Sequence, residues 1–298
     1  MQFMFTYPEA HGLAADMLAA GQPAELAHVA EECGWDGFAL TEHPAPGARW
    51  LGAGGHQTLD PFVALAAAAA VTSRIRLLTY LAVLAYRNPL LLAKTVATLD
   101  IISGGRAVLG AGTGYLRGEF RALGADFEER NALFDEALEV LPLHWSGEPF
   151  DYEGRHFTAR NTLALPRPVQ QPVPIWVGGN SATARRRVAQ HAHGWIPVLG
   201  TGELITTIRT PELATVPDLA AAVTQLRADA GPRGAALDVG ITYPGDLASP
   251  DTDRGRHRAA ITELADAGVT WLMIPGPEGT TRPQLTAFLE RLGRDYFG

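Results

Sequence analysis

Cysteine occurs once, at Cys33. The chain therefore forms no intramolecular disulfide and no cysteine-built metal site. Cys33 lies in Ala30-Glu31-Glu32-Cys33-Gly34, the last turn of an expected helix, where a small buried or half-buried residue is the ordinary occupant. Long apolar runs are missing as well. The alanine-rich stretch Ala64 to Val71 falls well short of the ~18 residues that span a bilayer. Met1 to Tyr7 lacks the basic start and small-residue cleavage site of a secretion signal and reads as a strand, so a cytoplasmic location is expected. Positive charge is the minority sign, 24 Lys and Arg against 32 Asp and Glu. The resulting net charge of −8 argues against nucleic acid or an anionic membrane as the main partner.

What is present is apolar and periodic. Of the 298 residues 47% are hydrophobic and 19% charged, enough to build a large core. Short apolar runs alternate with helical patterns throughout. Strands are expected at 3–7, 37–41, 75–83, 106–111, 173–177, 195–199, 239–242 and 271–274. Helices are expected at 23–33, 60–72, 88–102, 129–145, 181–192, 219–230, 256–267 and 283–292. Asp60-Pro61 and Asn88-Pro89 each read as an N-cap followed by proline at the first helical position. Gly34, Gly231 and Gly268 read as stops. Eight alternations are the number a closed parallel barrel needs, so the fold class is α/β, a (β/α)₈ TIM barrel. A doubly wound open sheet is disfavoured because no Gly-x-Gly-x-x-Gly follows the first strand. A single domain over 1–298 is expected. The Pro-, Gly- and aromatic-rich segment 146–172, which lacks helical period, is expected as an insertion at the C-terminal face.

Barrel active sites lie where the strands end, so the strand–helix junctions carry the chemistry. Four are unusual. The second strand leads into Thr41-Glu42-His43-Pro44, which offers an acid and an imidazole either for proton transfer or for ordering the loop. The third runs through Thr79-Tyr80-Leu81 to Tyr86-Arg87-Asn88-Pro89, a long strand that bends into a loop and a capped helix, or plain core plus cap. The fourth gives Gly110-Ala111-Gly112-Thr113-Gly114-Tyr115 and then Glu119, where small residues let a ring or phosphate approach the backbone, or simply make a tight turn. The fifth gives Gly178-Gly179-Asn180-Ser181 at a helix start, an anion site or an ordinary capped turn. Together they suggest one extended ligand carrying a phosphate.

These residues in combination resemble the bacterial-luciferase-like superfamily, and within it the oxidoreductases that use the deazaflavin coenzyme F420. The resemblance rests on Thr41-Glu42-His43, on Tyr86-Arg87-Asn88-Pro89 with Lys94, and on Ser103-Gly104-Gly105-Arg106 leading into the glycine run. Pro174-Ile175-Trp176-Val177 with the junction after it, and His193-Gly194-Trp195-Ile196-Pro197, complete it. It extends from Met1 to about Leu199 and weakens beyond. It implies that His43 lies beside the deazaflavin ring as proton donor or acceptor, with Tyr115 the second candidate. Glu42 stands where relatives often carry Asp. A non-proline cis peptide is implied near Tyr80-Leu81, behind the ring and next to Thr79. Gly112 would bind the cofactor, Thr113 and Gly114 would contact its side chain, and Gly178, Gly179, Asn180 and Ser181 would hold its phosphate. Relatives that oxidise sugar phosphates carry Glu where this chain has Tyr115, which argues against that substrate class.

The expected activity is hydride transfer between the deazaflavin C5 and a small organic substrate. An FMN-dependent monooxygenase served by a separate flavin reductase, or a barrel that has lost cofactor binding, are the alternatives. The substrate pocket is expected between the 146–172 insertion and the loops bearing Trp50, His56 and Tyr115, with 47–55 as a mobile lid or a surface loop. A homodimer is expected, with the alanine-rich helix 61–71 packed on a partner copy or tightly on the barrel. No metal is expected, since His11, His28 and His43 show no ligand spacing.

Overall fold

The computed structural model describes residues 1–247 and 253–297; of the 1–298 stretch read as one domain, 248–252 and 298 lie outside the described residues. The strands are β1 (Gln2–Thr6), β2 (Ala10–His11), β3 (Gly37–Leu40), β4 (His56–Gln57), β5 (Arg76–Thr79), β6 (Ala82–Val83), β7 (Ala107–Gly112), β8 (Phe150–Glu153), β9 (Thr158–Thr162), β10 (Ile175–Gly178), β11 (Gly194–Ile196), β12 (Asp238–Thr242) and β13 (Trp271–Pro275). The helices are α1 (Pro23–Glu32), α2 (Ala48–Gly52), α3 (Pro61–Val71), α4 (Pro89–Ser103), α5 (Arg117–Ala122), α6 (Arg130–Trp145), α7 (Ala182–His191), α8 (Glu203–Ile208), α9 (Val216–Asp229), α10 (Arg254–Asp266) and α11 (Arg282–Tyr296). Among the described residues no helix is long and apolar enough to cross a membrane.

Eight parallel strands close on themselves in the order β1, β3, β5, β7, β10, β11, β12, β13, with β13 pairing back onto β1. This is the (β/α)₈ barrel the alternation requires. Its interior is filled by Met4, Ala39, Leu78, Val108, Trp176, Ile196, Trp271 and Met273. Gly240 makes that filling fit: a Cβ there would come within 2.4 Å of the Met273 methyl. The two indoles meet edge-on with centroids 5.5 Å apart.

The helices start where the sequence signals them. The Asp60 side chain accepts from the Val63 N–H and Asn88 from the Leu90 N–H, each with proline at the next position. Ser181 caps α7 by accepting from the Ala184 N–H. Gly104 ends α4 with a left-handed φ of 68°. The alanines of α3 make a tight contact within the chain. Ala64, Ala68 and Ala69 are buried in the core, and α3 packs between α1 and α4.

Two expectations change. The third barrel strand is not continuous over 75–83. It breaks at Tyr80-Leu81, a cis peptide bond, and resumes as β6 alongside β7. The segment 146–172 leaves and rejoins the barrel at the N-terminal ends of the strands, and its hairpin runs back along α6 as far as the helix start at Glu129. Its β8–β9 hairpin lies along α6, where His156 bonds Glu136 and Glu129 and Tyr152 bonds Glu139. It then runs to the strand starts, where Gln170 bonds Asp100, the Ala107 carbonyl and Arg76. The reason is topological. A segment that follows a helix and precedes a strand connects at the N-terminal ends of the strands, opposite the active-site face.

Candidate active site

The mouth is walled by the 41–60 and 112–129 segments. Between them opens a cleft of about 470 Å³ lined by Gly47, Trp50, Tyr115, Leu116, Glu119 and Arg209 among others. Within residues 47–55, Ala48–Gly52 form the short helix α2 there, and the Trp50 and His43 ring centroids lie 4.6 Å apart.

At the centre is a polar chain of four side chains. Glu119, in α5, is 1% exposed. Its carboxylate accepts from the Tyr86 hydroxyl at 2.9 Å and from the Ala45 N–H at 3.2 Å, and it meets His43 Nδ1 at 3.1 Å. An ionised carboxylate only accepts, so Nδ1 of a neutral His43 carries the proton and Nε2 is left as acceptor. Nε2 faces the Tyr115 hydroxyl at 3.2 Å. Burial, and then Glu119 and Glu9, push the Tyr115 hydroxyl up to about 12, so near neutrality it stays protonated and donates. Burial and Glu119 likewise raise Tyr86. His43 is anchored by its own N–H, which donates to the Thr58 hydroxyl at 2.8 Å. The structure thus brings together both residues expected to be catalytic, His43 and Tyr115. It adds Glu119 and Tyr86, to which the sequence assigned no role. The available signal was a carboxylate one helical turn after Tyr115, in the helix that follows a glycine-rich strand end.

Glu42 has a different place. Its carboxylate is buried, accepts from the Val83 N–H at 2.8 Å, and pairs with both terminal nitrogens of Arg87. It ties β6 and the α4 approach to the end of β3, and no oxygen is left facing the mouth. Thr79 is similarly engaged, donating to the Gly110 carbonyl at 2.9 Å. Tyr80 reaches across the barrel to the Thr242 hydroxyl at 2.6 Å, and burial pushes its own hydroxyl up to about 12.

Leu81 decides whether the glycine-bearing strand ends converge. A Cβ on Gly112 would stand 3.3 Å from Leu81 Cβ, and one on Gly178 would stand 2.2 Å from Leu81 Cδ1. Both glycines touch the same side chain, so the ends of β7 and β10 form one rim with Leu81 as its floor. The immediate steric need for glycine at 178 is Leu81 itself. Gly179 takes a left-handed φ of 101°, and the nearest atoms to a Cβ there are the Thr210 hydroxyl at 3.7 Å and Ala184 at 3.9 Å. Gly114 also has a positive φ, and a Cβ would strike Val83 and Phe120. Thr113 is half-buried beside it. The Asn180 amide is turned inward. It donates to the Val198 and Pro211 carbonyls at 2.8 and 2.7 Å and accepts from the Val198 N–H. Its part is to hold the turn that presents Gly179 and Ser181.

A second cluster was illegible in the sequence. Antiparallel pairing of β2 with β4 sets His11 opposite His56. Glu9 approaches both, its oxygens 3.7 Å from His11 Nε2 and 3.3 Å from His56 Nε2. Burial, helped by His43 and His11, pushes His56 down to about 3, and burial raises Glu9. The spacing of His11, His28 and His43 gave no sign of this cluster: His11 and His56, residues 45 apart, meet through a ladder that spacing alone does not reveal.

A profile described as luciferase-like monooxygenase matches residues 1–253. The chain belongs to that family. Among its relatives, an uncharacterised protein of Mycobacterium tuberculosis strain H37Rv is 34% identical over 58% of this chain and 66% of its own length. The F420-dependent glucose-6-phosphate dehydrogenase of Kineococcus radiotolerans is 34% identical over 63% of this chain and 55% of its own. Less than two thirds of either relative is therefore spanned. Among solved structures, the monooxygenase RslO1 from Streptomyces bottropensis superposes with a TM-score of 0.78 at 21% identity, covering 100% of this chain and 99% of its own. That likeness is one of fold.

Proposed function

We propose that this family member is a coenzyme F420-dependent oxidoreductase acting on a small organic alcohol or carbonyl compound. The observation that carries the reading is the Tyr86–Glu119–His43–Tyr115 chain, set in the cleft beside a glycine rim. The residues present fit the cofactor. The floor at Leu81 is apolar and the rim at Gly112 and Gly178 carries no side chains. The α7 start offers Gly179, Ser181 and the helix N-terminus to a phosphate, with Thr113 and Gly114 available to the linker between ring and phosphate. When bound, the deazaflavin supplies hydride donation or acceptance at C5.

The chain's own residues handle the proton. For oxidation of an alcohol, Tyr115 Oη takes the substrate proton as its own passes to His43 Nε2, and Glu119 steadies the resulting imidazolium through Nδ1. For reduction the same steps run backwards. Tyr115 replaces the Glu of sugar-phosphate-oxidising relatives, which directs the reading away from sugar phosphates. Copies of the chain pair as homodimers in this reading, which sedimentation of the purified protein checks.

The rival is an FMN-dependent monooxygenase on the same barrel, kept open by the RslO1 likeness. Spectrophotometric titration of the purified protein with coenzyme F420 and with FMN decides between them. Saturable binding of F420 at micromolar levels or tighter, with no comparable FMN binding, is expected. Tight FMN binding without F420 binding overturns the proposal, and binding of neither identifies a barrel that has lost its cofactor.

A further inference from the structure

Glu9, His11 and His56 are not used by the proton chain, yet one ligand atom from each lies within 4.8 Å of the other two. The geometry is specific. His11 is gripped twice by Glu278: its N–H donates to one carboxylate oxygen at 3.1 Å, and its Nδ1 meets the other at 3.1 Å. A carboxylate accepts, so in a neutral His11 with its proton on Nδ1 the Nε2 lone pair is turned toward Glu9. A histidine whose outer nitrogen is held by a carboxylate is the arrangement that orients metal-binding imidazoles. His56 Nε2 is sealed from solvent and has no hydrogen-bond partner, although Glu9 lies 3.3 Å away. A buried ring nitrogen without a partner is costly to keep unless something fills the space in front of it. Among the described residues, no Lys or Arg forms an ion pair with Glu9 or Glu278 to balance their charge.

We propose that Glu9, His11 and His56 bind a divalent first-row metal ion, Zn²⁺ being the best fit. Two imidazoles and one carboxylate are the ligand set of zinc sites that keep a fourth position open. Ligands about 2.0–2.1 Å from a tetrahedral zinc stand roughly 3.3–3.5 Å from one another. Each imidazole faces its own oxygen of Glu9 near that spacing, His56 Nε2 at 3.3 Å from Oε1 and His11 Nε2 at 3.7 Å from Oε2, and one ligand atom from each residue can be chosen so that all three lie within 4.8 Å. The His43 ring lies 4.9 Å from that of His56, so the open position belongs to the same mouth as the proton chain. It would take a hydroxyl or carbonyl oxygen.

The test uses the full chain freed of metal with a chelator and without any flavin or deazaflavin, so its outcome is independent of the cofactor assignment. Calorimetric titration with ZnCl₂ is expected to give one saturable equivalent, and Co²⁺ the strong visible bands of a four-coordinate site. His11→Ala, His56→Ala and Glu9→Gln should each weaken binding at least tenfold, and Glu278→Gln by roughly 10–100-fold. His28→Ala, at an exposed position of α1, should change nothing. Near-ultraviolet dichroism checks that each variant is folded. If His56→Ala fails that check, Glu9→Gln and His11→Ala carry the test. Absence of saturation at one equivalent, or saturation indifferent to the His11 and Glu9 changes, overturns the proposal.

Discussion

Glu119→Gln isolates the orienting role of one buried carboxylate while keeping its shape. In the native site one oxygen serves Tyr86 and His43 and the other serves the Ala45 N–H. A glutamine has only one acceptor oxygen. If it faces His43, the amide NH₂ opposes the Ala45 N–H, two donors with nothing between them in a buried place. If it faces Ala45, the NH₂ points at His43 Nδ1 and can bond it only when Nδ1 gives up its proton. The second arrangement leaves no donor stranded, because the Tyr86 hydroxyl can accept as well as donate. The substitution should therefore move the His43 proton from Nδ1 to Nε2, so that Tyr115 faces a donor instead of an acceptor. One charge-assisted network is weakened without a cavity, so stability should fall by about 1–3 kcal/mol in urea unfolding. A misassigned proton removes general acid–base assistance, which is worth roughly 10²–10⁴-fold in turnover. The readout needs no substrate: long-range nitrogen–proton spectra of protein labelled with ¹⁵N-histidine report which ring nitrogen is protonated. A His43 that keeps the same tautomer in Glu119→Gln would refute the reasoning.

Three further outcomes follow from the same geometry. Gly178→Ala should displace Leu81 and weaken cofactor binding at least tenfold in a fluorescence titration, at a cost of about 1–3 kcal/mol for overpacking. Gly112→Ala, whose Cβ would stay 3.3 Å from Leu81, should be much milder; equal effects would dispose of the idea that Leu81 sets the rim. Burial raises the Glu31 carboxyl, but the N–H groups of Ile75, Arg74 and Ser73 outweigh that and leave it below the usual range. Its stabilisation should then be complete above the unfolded value of about 4.3 and fade as pH falls through the lower folded value. Glu31→Gln should cost about 1–3 kcal/mol at pH 7 and progressively less in acid, and a penalty independent of pH would contradict this. Arg106, buried, donates to the carbonyls of Ala69, Thr72, Ile75 and Ser103. Arg106→Met should cost about 3 kcal/mol or more in urea unfolding, and a loss below 1 kcal/mol would mean that water replaces those bonds.

Most of the barrel could be read from the chain because its signals are local. Asp60-Pro61 and Asn88-Pro89 declare helix starts through chemistry contained in four residues, and each strand is an apolar run buried on both faces. The break at Tyr80-Leu81 was legible only through family resemblance, since an apolar run gives no hint of an interrupted ladder. The anchoring of 146–172 follows from topology more than from composition. Its position after α6 and before β10 fixes the face at which its two ends attach, while the hairpin's reach back along α6 to Glu129 leaves no local trace in the sequence. The roles of Glu42 and Asn180 were blurred for a different reason. Each lies at a strand end, yet partners distant in the chain, Arg87 for one and Val198 with Pro211 for the other, claim their polar atoms. Glu9, His11 and His56 show the limit most sharply, because a two-residue ladder is too short to leave any periodic trace.

Leu81, clasped by two glycines from neighbouring strands, works as a spacer that sets the depth of the slot above it. A trimmed side chain would sink the slot and let its two walls lean inward; a bulkier one would wedge them apart. Within this family, then, the residue at position 81 should change size only in step with those at 112 and 178, so that ligands of a different thickness are accommodated by substituting a trio.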